Sequence, residues 1–446
     1  MEPAPRTPTG ATDPVAAALG RAVATDHARI MAAVLATVPD WQLAEDALQD
    51  ACERALEAWS RGGVPTSPAG WLVTAARRRG IDLLRRGQGR AATLQRYGTS
   101  VERGMLDTDP EPEVGDDRLR LVLTCAHPAL PLEARVALTL RTVLGWTPAE
   151  IAAAFLATEA AVQKRLVRAR AKIAHAGIPY RVPPPEELPD RVDGVLGVVY
   201  VVFTAGYAGT GDAGLMTEAV RLARLVRDLL DPALPERLEA SGLLALLLAQ
   251  RARQDARLDE HGAVVLLDRQ DRSRWDHGAI AEAERLVDEV LQLAAHRRQP
   301  VGRYTLQAAI ALEHVRPATA DATDWPRIAQ LHALLARLDD GPAQRLARAV
   351  ADGRAHGPRR GLETLDGVPE GARTYLFHAA RADLLEAAGR PDDAREEYGR
   401  AAALAPGDLE RTALTDRQDA LGEGRAVGRR RTRADECGAA RGSAPP

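Results

Sequence analysis

Basic side chains are concentrated in two stretches of this sequence, and their chemistry is the binding of anions. In residues 67–87 five arginines accompany a single acid, Asp82. In residues 159–172 three arginines and two lysines accompany only Glu159. Guanidinium and ammonium groups neutralise phosphates and hydrogen-bond to them, so both stretches suit contact with a nucleic-acid backbone. The sequence holds no GxSxG or HExxH motif, and we expect no enzymatic activity.

A row of carboxylates precedes the first basic stretch. Residues 40–59 begin with Asp40, a favoured helix N-cap, and apolar side chains then recur at helical spacing. The apolar stripe consists of Leu48, Cys52, Ala55 and Trp59, and the carboxylates on nearly the opposite side are Asp46, Asp50, Glu53 and Glu57. The pattern predicts a helix that buries one face. Its other face is either a solvated surface or a docking surface for a basic partner, and the periodicity leaves both open.

The first basic stretch has the sequence of a complete helix. Ser67 is a favoured N-cap, Pro68 suits the first helical turn, and Gly87 suits the C-terminal end. Trp71 lies one turn before the arginines. Its indole either packs in the core or stacks on an unpaired base.

The second basic stretch follows a short capped helix. Thr147 and Glu150 form a capping-box pattern, with Pro148 at the first helical position. A break at residues 156–158 separates this helix from a second one, for which the predicted buried stripe is Val162, Leu166, Ala169 and Ile173. A capped helix, a tight turn and a basic helix are typical of a helix-turn-helix.

A helix-turn-helix places its second helix in the major groove of DNA. Gln163 and Lys164 are then the candidates for base readout, because both side chains can bond the groove edge of purines. Arg168 and Lys172 would contact phosphates.

Composition bounds the remaining possibilities. The 446 residues are rich in alanine, leucine and arginine, which favour an all-helical fold. The net charge of −3 gives no global field for nucleic acid, so DNA contact must come from the local clusters. The three cysteines form no CxxC pair, which argues against disulfides and zinc sites and fits a reducing cytoplasm. We expect a cytoplasmic protein with no cofactor, no bound metal, no signal peptide and no membrane span.

Proline-rich and acidic stretches divide the chain into domains. The predicted segments are a disordered N-terminus (1–14), a helical domain (15–90), an acidic linker (91–117), a helix-turn-helix domain (118–178), a proline-rich linker (179–190), a helical extension (191–421) and a disordered tail (422–446).

The order of these features resembles the sigma-70 family of transcription initiation factors. The sequence LAEDALQDACERALEAW (43–59) and the sequence GWLVTAARRRGIDLLRR (70–86) are similar to region 2 of that family, and residues 137–173 are similar to region 4. Only these two regions are found in the first 178 residues, which is the arrangement of the extracytoplasmic-function type. The resemblance implies an all-helical sigma factor that directs RNA polymerase to promoters.

The resemblance also implies a role for each charged surface. Core RNA polymerase would be bound through its β′ clamp helices and its β flap, and promoter DNA at two elements. The implied polymerase-binding residues are Leu43, Glu45, Asp46, Gln49 and Asp50. Those for the minus-ten element are Trp71, Arg77, Arg78, Arg79, Arg85 and Arg86, and those for the minus-35 element are Glu159, Gln163, Lys164, Arg165, Arg168 and Lys172. Many family members have small or basic residues where this sequence has Gln163 and Lys164, so the promoter sequence does not carry over.

Three further stretches are HPALPLEARVALTLRTVLGW (127–146), RVDGVLGVVYVVFTAGY (191–207) and LLDRQDRSRWD (266–276). Together they resemble a sigma subgroup with a long tetratricopeptide-like C-terminal extension, which is thought to replace a separate anti-sigma factor. Residues 387–408 fit half of a tetratricopeptide unit, with Gly389, Ala394, Tyr398, Ala401 and Pro406 at the expected intervals. Such helical pairs would offer a surface for a protein or ligand partner. The segment LLDRQDRSRWDHG (266–278) is either a capped loop or a contact site. Two alternatives stay open for the whole chain: a helix-turn-helix regulator that binds an operator, and a tetratricopeptide-like scaffold.

Overall fold

The computed structural model describes residues 13–87, 114–155, 157–207, 212–260, 265–408 and 410–421. Within these ranges the chain forms helices and no β-strand, so the predicted all-helical fold is confirmed. No helix of this part of the chain is long and apolar enough to cross a bilayer. The predicted disordered ends (1–14 and 422–446) and acidic linker (91–117) lie largely or wholly outside the described residues. The chain divides into two compact units, Met1–Ala240 (unit 1) and Ser241–Pro446 (unit 2).

Unit 1 begins with three helices that pack on one another: α1 (Pro14–Thr37), α2 (Trp41–Gly62) and α3 (Pro68–Gly87). The Asp40 carboxylate accepts hydrogen bonds from the backbone amides of Gln42 and Leu43, at 2.9 and 3.0 Å, and caps α2 as predicted. On α3, the Ser67 hydroxyl accepts a hydrogen bond from the backbone amide of Gly70 at 3.3 Å. Both charged helices therefore begin at the residues that the sequence indicates.

The apolar stripe of α2 faces the core of this three-helix group. Leu48, Ala55 and Trp59 are buried. Helix α3 approaches both neighbours closely because Gly80 has no side chain: a Cβ there would lie 2.6 Å from a methyl group of Val38, which follows α1, and 3.6 Å from Cβ of Ala47 in α2. The carboxylate helix and the arginine helix are thus held side by side.

Four further helices of unit 1 contain the helix-turn-helix: α4 (Val114–Cys125), α5 (Leu132–Thr142), α6 (Pro148–Ala154) and α7 (Glu159–His175). The predicted capping box is present, because the Thr147 hydroxyl accepts a hydrogen bond from the amide of Glu150 and the Glu150 carboxylate accepts one from the amide of Thr147, at 3.2 and 2.7 Å. The Thr158 hydroxyl caps α7. All four members of its predicted stripe are buried, namely Val162, Leu166, Ala169 and Ile173.

Three helices follow: α8 (Leu188–Tyr207), α9 (Ala213–Leu229) and α10 (Pro235–Arg251). Helices α8 and α9 pack on each other; α8 also packs on α4 and α5, and α9 on α4. The first helices of the extension are therefore part of the same compact unit as the helix-turn-helix. The division between the two units falls inside α10.

Unit 2 is a succession of helices that pack on their neighbours in sequence: α11 (His277–Arg297), α12 (Arg303–Val315), α13 (Trp325–Leu335), α14 (Pro342–His356), α15 (Pro358–Asp366), α16 (Tyr375–Ala387) and α17 (Pro391–Leu404). Helices α16 and α17 are the pair with the tetratricopeptide-like spacing. Ala394, Tyr398 and Ala401 of this pair are buried, and Gly389 joins its two helices. The helical-pair architecture predicted for the extension is confirmed.

Candidate functional site

The carboxylate face of α2, defined as Leu43, Glu45, Asp46, Gln49 and Asp50, is only partly open to solvent. Asp46 and Gln49 are exposed, whereas Leu43 and Asp50 are half-buried. The Asp46 carboxylate accepts one hydrogen bond, from Nε2 of Gln42 at 2.9 Å. Asp46 and Gln49 are therefore the members of this face that are open to solvent.

Glu45 is the exception on this face, because two arginines of the helix-turn-helix half occupy its carboxylate. Nη2 of Arg141 lies 3.1 Å from one carboxylate oxygen, and the guanidinium of Arg170 bonds the other oxygen. Nη1 of Arg170 also donates to Oε1 of Gln42 at 2.9 Å. The Glu45 and Arg170 side chains are each only 13% exposed. No local pattern in the sequence links α2 to α5 or α7, so these partners could not be predicted from it.

The arginines of α3 have two different environments. Nε of Arg77 donates to the backbone carbonyl of Ala33 at 3.0 Å, and the guanidinium of Arg79 bonds the carboxylate of Asp50. These two side chains are half-buried and join α3 to α1 and α2. The other three arginines, Arg78, Arg85 and Arg86, are exposed. The basic surface available to a phosphate is therefore smaller than the count of arginines predicts.

Trp71 serves the core and also reaches the surface. Its ring meets that of the buried Trp59 edge to face, with centroids 5.6 Å apart and planes at 74°. Trp71 itself is half-buried. Core packing is thus part of its role.

Helix α7 presents a polar face opposite its buried stripe. Gln163, Lys164, Arg168 and Lys172 are exposed, while Arg165 is half-buried. Two of these side chains are oriented by the helix itself: Nε2 of Gln163 donates to the Glu159 carboxylate at 2.9 Å, and Nε of Arg168 donates to the carbonyl of Lys164 at 3.3 Å.

An apolar side chain interrupts this polar face. Val167 is 62% exposed, and it lies one turn after Gln163 and Lys164. Sequence analysis missed it; the available signal was a valine outside the apolar stripe. An exposed apolar group among polar ones suits contact with a thymine methyl group.

His27 of α1 lies where the three-helix group α1–α3 meets the loop that follows α5. A Cβ placed on Gly145, which follows α5, would lie 2.9 Å from the His27 ring. Burial, and next the positive charge of Arg141, lower the pKa of His27 to about 4. The imidazole is therefore neutral at physiological pH.

Burial disfavours the thiolate form of both cysteines that the structure describes, Cys52 and Cys125. Burial, and next the charge of Glu53, raise the pKa of Cys52 to about 11, and burial also raises the pKa of Cys125. In the ranges that the structure describes, no group of three or more His, Cys, Asp or Glu side chains is arranged to hold a metal ion.

The segment 266–278 of unit 2 is a bonded, capped loop. Nη1 of Arg272 donates to the carbonyls of His314 and Pro317, at 3.1 and 2.6 Å, and the guanidinium lies 4.5 Å from the ring centroid of Trp275. The Asp276 carboxylate caps α11. These contacts give Arg272 and Asp276 structural roles in the loop.

Three family descriptions match this chain. "Sigma-70 region 2" matches residues 23–90 and "Sigma-70, region 4" matches residues 120–173. A family of unknown function (DUF6596) matches residues 191–291. The first match contains α2 and α3, and the second contains the helix-turn-helix.

One relative and one solved structure align with most of the chain. "Uncharacterized protein R00370" of Rhizobium meliloti (strain 1021) is 40% identical over 400 residues, which cover 86% of this chain and 91% of the relative. The crystal structure of yeast Tom70 has a TM-score of 0.34 and 13% identity, with 93% of this chain and 88% of that chain covered. A TM-score of 0.34 does not establish a shared fold. Region 2 and region 4 of the sigma-70 family are both present, one after the other along the chain. The chain therefore belongs to the sigma-70 family, as a sigma factor similar to the extracytoplasmic-function type with a C-terminal extension.

Proposed function

We propose that this chain binds core RNA polymerase through the carboxylate face of α2, contacts the minus-ten element through α3, and reads the minus-35 element through α7. The observation that carries the proposal is the exposed face of α7. Gln163, Lys164, Arg168 and Lys172 are open to solvent, while every member of the apolar stripe of that helix is buried. A capped helix-turn-helix with a free polar face is the geometry that major-groove readout needs. The chain itself supplies binding and no bond-forming chemistry.

Run-off transcription with core polymerase and genomic DNA tests the proposal. We expect transcripts from a defined promoter class only when the chain is present. Tight binding to duplex DNA without polymerase would instead favour an operator-binding regulator. No protection of DNA under either condition would leave only the scaffold alternative.

A matched pair of charge reversals tests the polymerase contact. Asp46→Lys reverses an exposed charge of the carboxylate face, and Glu57→Lys reverses one that is 77% exposed on the same helix but outside that face. We expect Asp46→Lys to weaken association with core polymerase at least about tenfold, equal to 1.4 kcal/mol, and Glu57→Lys to change it little. Asp50 is a poorer test, because its carboxylate also bonds Arg79 within the domain.

Substitutions on α7 separate base readout from phosphate contact. Gln163→Ala and Lys164→Ala should relax promoter preference at one or two base pairs, each at a cost of about 1–3 kcal/mol. Lys172→Ala should weaken binding to all promoters alike and reduce its dependence on salt. Promoter-library sequencing with each variant distinguishes the two results.

We also propose that the extension modulates this activity. Its helices α8 and α9 pack on α4 and α5, and Nη1 of Arg221 in α9 donates to the backbone carbonyl of Ala24 in α1 at 3.0 Å. Loss of the latter bond in Arg221→Ala should change promoter output while the protein remains folded, as measured by transcription and circular dichroism. Unchanged output would argue against modulation through this contact.

A further inference from the structure

A short helix at residues 410–421 follows α17 and contacts the α16–α17 pair of unit 2, and we call it the strap helix. Its main polar contact is Arg417. Nη1 of Arg417 donates to the phenol oxygen of Tyr398 at 3.1 Å. It also donates to the carboxylates of Asp383 and Glu386, at 3.5 and 3.4 Å. The guanidinium lies 5.9 Å from the centroid of the Tyr398 ring. One arginine of the strap helix therefore meets three groups that belong to α16 and α17.

Little apolar surface holds the strap helix in place. Leu414, Gln418 and Leu421 are half-buried at helical spacing, and none of the residues 410–421 is fully buried. A Cβ on Gly399 would lie 2.7 Å from Nε2 of Gln418, so the strap helix can approach α17 because that position is a glycine. Isolated helices of about 12 residues are marginal in water, and segments with few buried apolar contacts open at low free energy. Detachment of the strap helix should therefore cost less than separation of α16 from α17, which have a buried core.

The surface under Arg417 suits a guanidinium. The Tyr398 hydroxyl donates to the carboxylates of Asp383 and Glu386, to the latter at 3.2 Å. Burial, and next the hydrogen bond to Asp383, raise the pKa of Tyr398, so the hydroxyl keeps its proton. Two neighbouring carboxylates repel each other, and a cation beside both removes that cost. A guanidinium bonds several oxygens at once and stacks on an aromatic face, whereas an ammonium is a compact point charge. The surface therefore favours arginine over lysine.

Four residues form this surface, which we call the acceptor face: Asp383, Glu386, Tyr398 and Gly399. We infer that the acceptor face is a docking site for an amphipathic helix of another protein, which displaces the strap helix when it binds. The partner helix would carry an arginine in place of Arg417, with a leucine three residues before it and another four residues after it, because the strap helix has leucines at those positions. Docking of an amphipathic helix in a groove is a recurrent mode of recognition. The inference goes beyond the proposed function, since it involves neither RNA polymerase nor DNA.

A second copy of this chain would be a poorer occupant of the acceptor face. Its strap helix would leave one acceptor face to fill another, so like contacts would replace like contacts. The two chains would also lose translational and rotational freedom on association. The helix of another protein can add contacts beyond the acceptor face. It competes with a strap helix held at an effective concentration of roughly millimolar order, so its apparent affinity is reduced by the fraction of chains that is open.

Peptide binding tests the acceptor face. The probe is a fluorescently labelled peptide with the sequence of residues 408–421, and the proteins are full chains of the wild type and of Arg417→Glu. This substitution places a carboxylate opposite Asp383 and Glu386, so it should release the strap helix and leave the acceptor face open to the peptide. Two altered peptides are compared. One carries Arg417→Glu, and its matched control carries Arg411→Glu, at an exposed arginine whose ion pair lies within the same segment.

Binding is followed by fluorescence anisotropy. We expect the unaltered peptide to bind the Arg417→Glu chain at least about tenfold more tightly than the wild-type chain, whose acceptor face is filled. The Arg411→Glu peptide should bind within about threefold of the unaltered peptide, and the Arg417→Glu peptide at least about tenfold more weakly, because only the latter brings like charges together. Equal binding to both chains, undiminished binding of the Arg417→Glu peptide, or no binding at about 1 mM peptide would each overturn the inference.

Hydrogen exchange on the wild-type chain tests whether the strap helix opens by itself. We expect the amides of residues 410–421 to exchange at least about tenfold faster than those of α17, and Arg417→Glu to speed exchange in the strap helix alone. Loss of protection in α16 and α17 as well would overturn the inference, since the strap helix would then be a structural part of unit 2.

Two further outcomes are covered. A wild-type dimer that Arg417→Glu converts to a monomer, seen by light scattering, would indicate exchange of strap helices between copies and overturn the choice of another protein as the partner. Should Arg417→Glu fail to fold, Arg417→Gln replaces it. The unaltered peptide should then bind the variant at least about threefold more tightly than wild type, and equal binding would again overturn the inference.

Discussion

His27 makes the stability of unit 1 depend on pH in a way that can be measured. Burial, and secondarily the charge of Arg141, hold the pKa of this imidazole at about 4, whereas an unfolded chain has a histidine pKa of about 6.5. Between these values the unfolded state binds a proton that the folded state does not. The contribution of the neutral His27 side chain to the free energy of unfolding is therefore lost as pH falls from about 6.5 toward 4.

The size of the effect follows from the pKa difference. The full loss is about 3 kcal/mol, and about 2 kcal/mol of it is already lost at pH 5. For a unit of this size about 2 kcal/mol corresponds to a fall in melting temperature of roughly 4–8 °C. We expect His27→Asn, which carries no titrating ring, to lack this part of the pH dependence.

Thermal unfolding between pH 7 and pH 5 is the assay. Both proteins contain the same carboxylates. Subtracting the melting temperature of His27→Asn from that of wild type therefore cancels the effect of carboxylate titration. His175→Asn, at an exposed histidine of α7, is the control and should follow wild type at every pH. A difference between wild type and His27→Asn that stays constant from pH 7 to pH 5 would refute the reasoning.

Three further predictions concern the packing of the two units. Gly242→Ala should destabilise unit 2 by at least about 2 kcal/mol, because its Cβ would lie 2.6 Å from the backbone nitrogen of Thr305. Gly20→Ala, in an exposed part of α1 with no atom within 4 Å of the new methyl, should stabilise unit 1 by about 0.5–1 kcal/mol. Arg272→Ala should cost unit 2 about 1–3 kcal/mol, since it leaves two carbonyls without their donor and removes the cation from the face of Trp275. Urea denaturation measures all three, and a reversed sign for either glycine would contradict the packing described.

Local signals in the sequence predicted local structure well. Asp40 and Thr147 begin helices as expected, and the apolar stripe of α7, represented by Leu166, is buried. These features depend on residues within one or two helical turns, so capping and periodicity reveal them.

Contacts between distant segments were beyond the reach of those signals. Glu45 meets Arg141 and Arg170 across 96 and 125 residues of sequence, and the sequence gives no register for such a meeting. For the same reason the arginines of α3 looked equivalent, although Arg79 bonds Asp50 and Arg78 is exposed. Tertiary packing decides which charges of a helix remain available to a partner.

The separation of the two faces of α7 has a consequence for engineering. Its hydrophobic stripe anchors the helix, while the side chains at Gln163, Lys164 and Val167 project away from that anchor. Exchange of these three residues leaves the anchoring stripe itself unchanged, because none of the three side chains belongs to it. On the proposed reading of the minus-35 element by α7, a combinatorial library at these three codons should give variants with new promoter preferences on an unchanged scaffold.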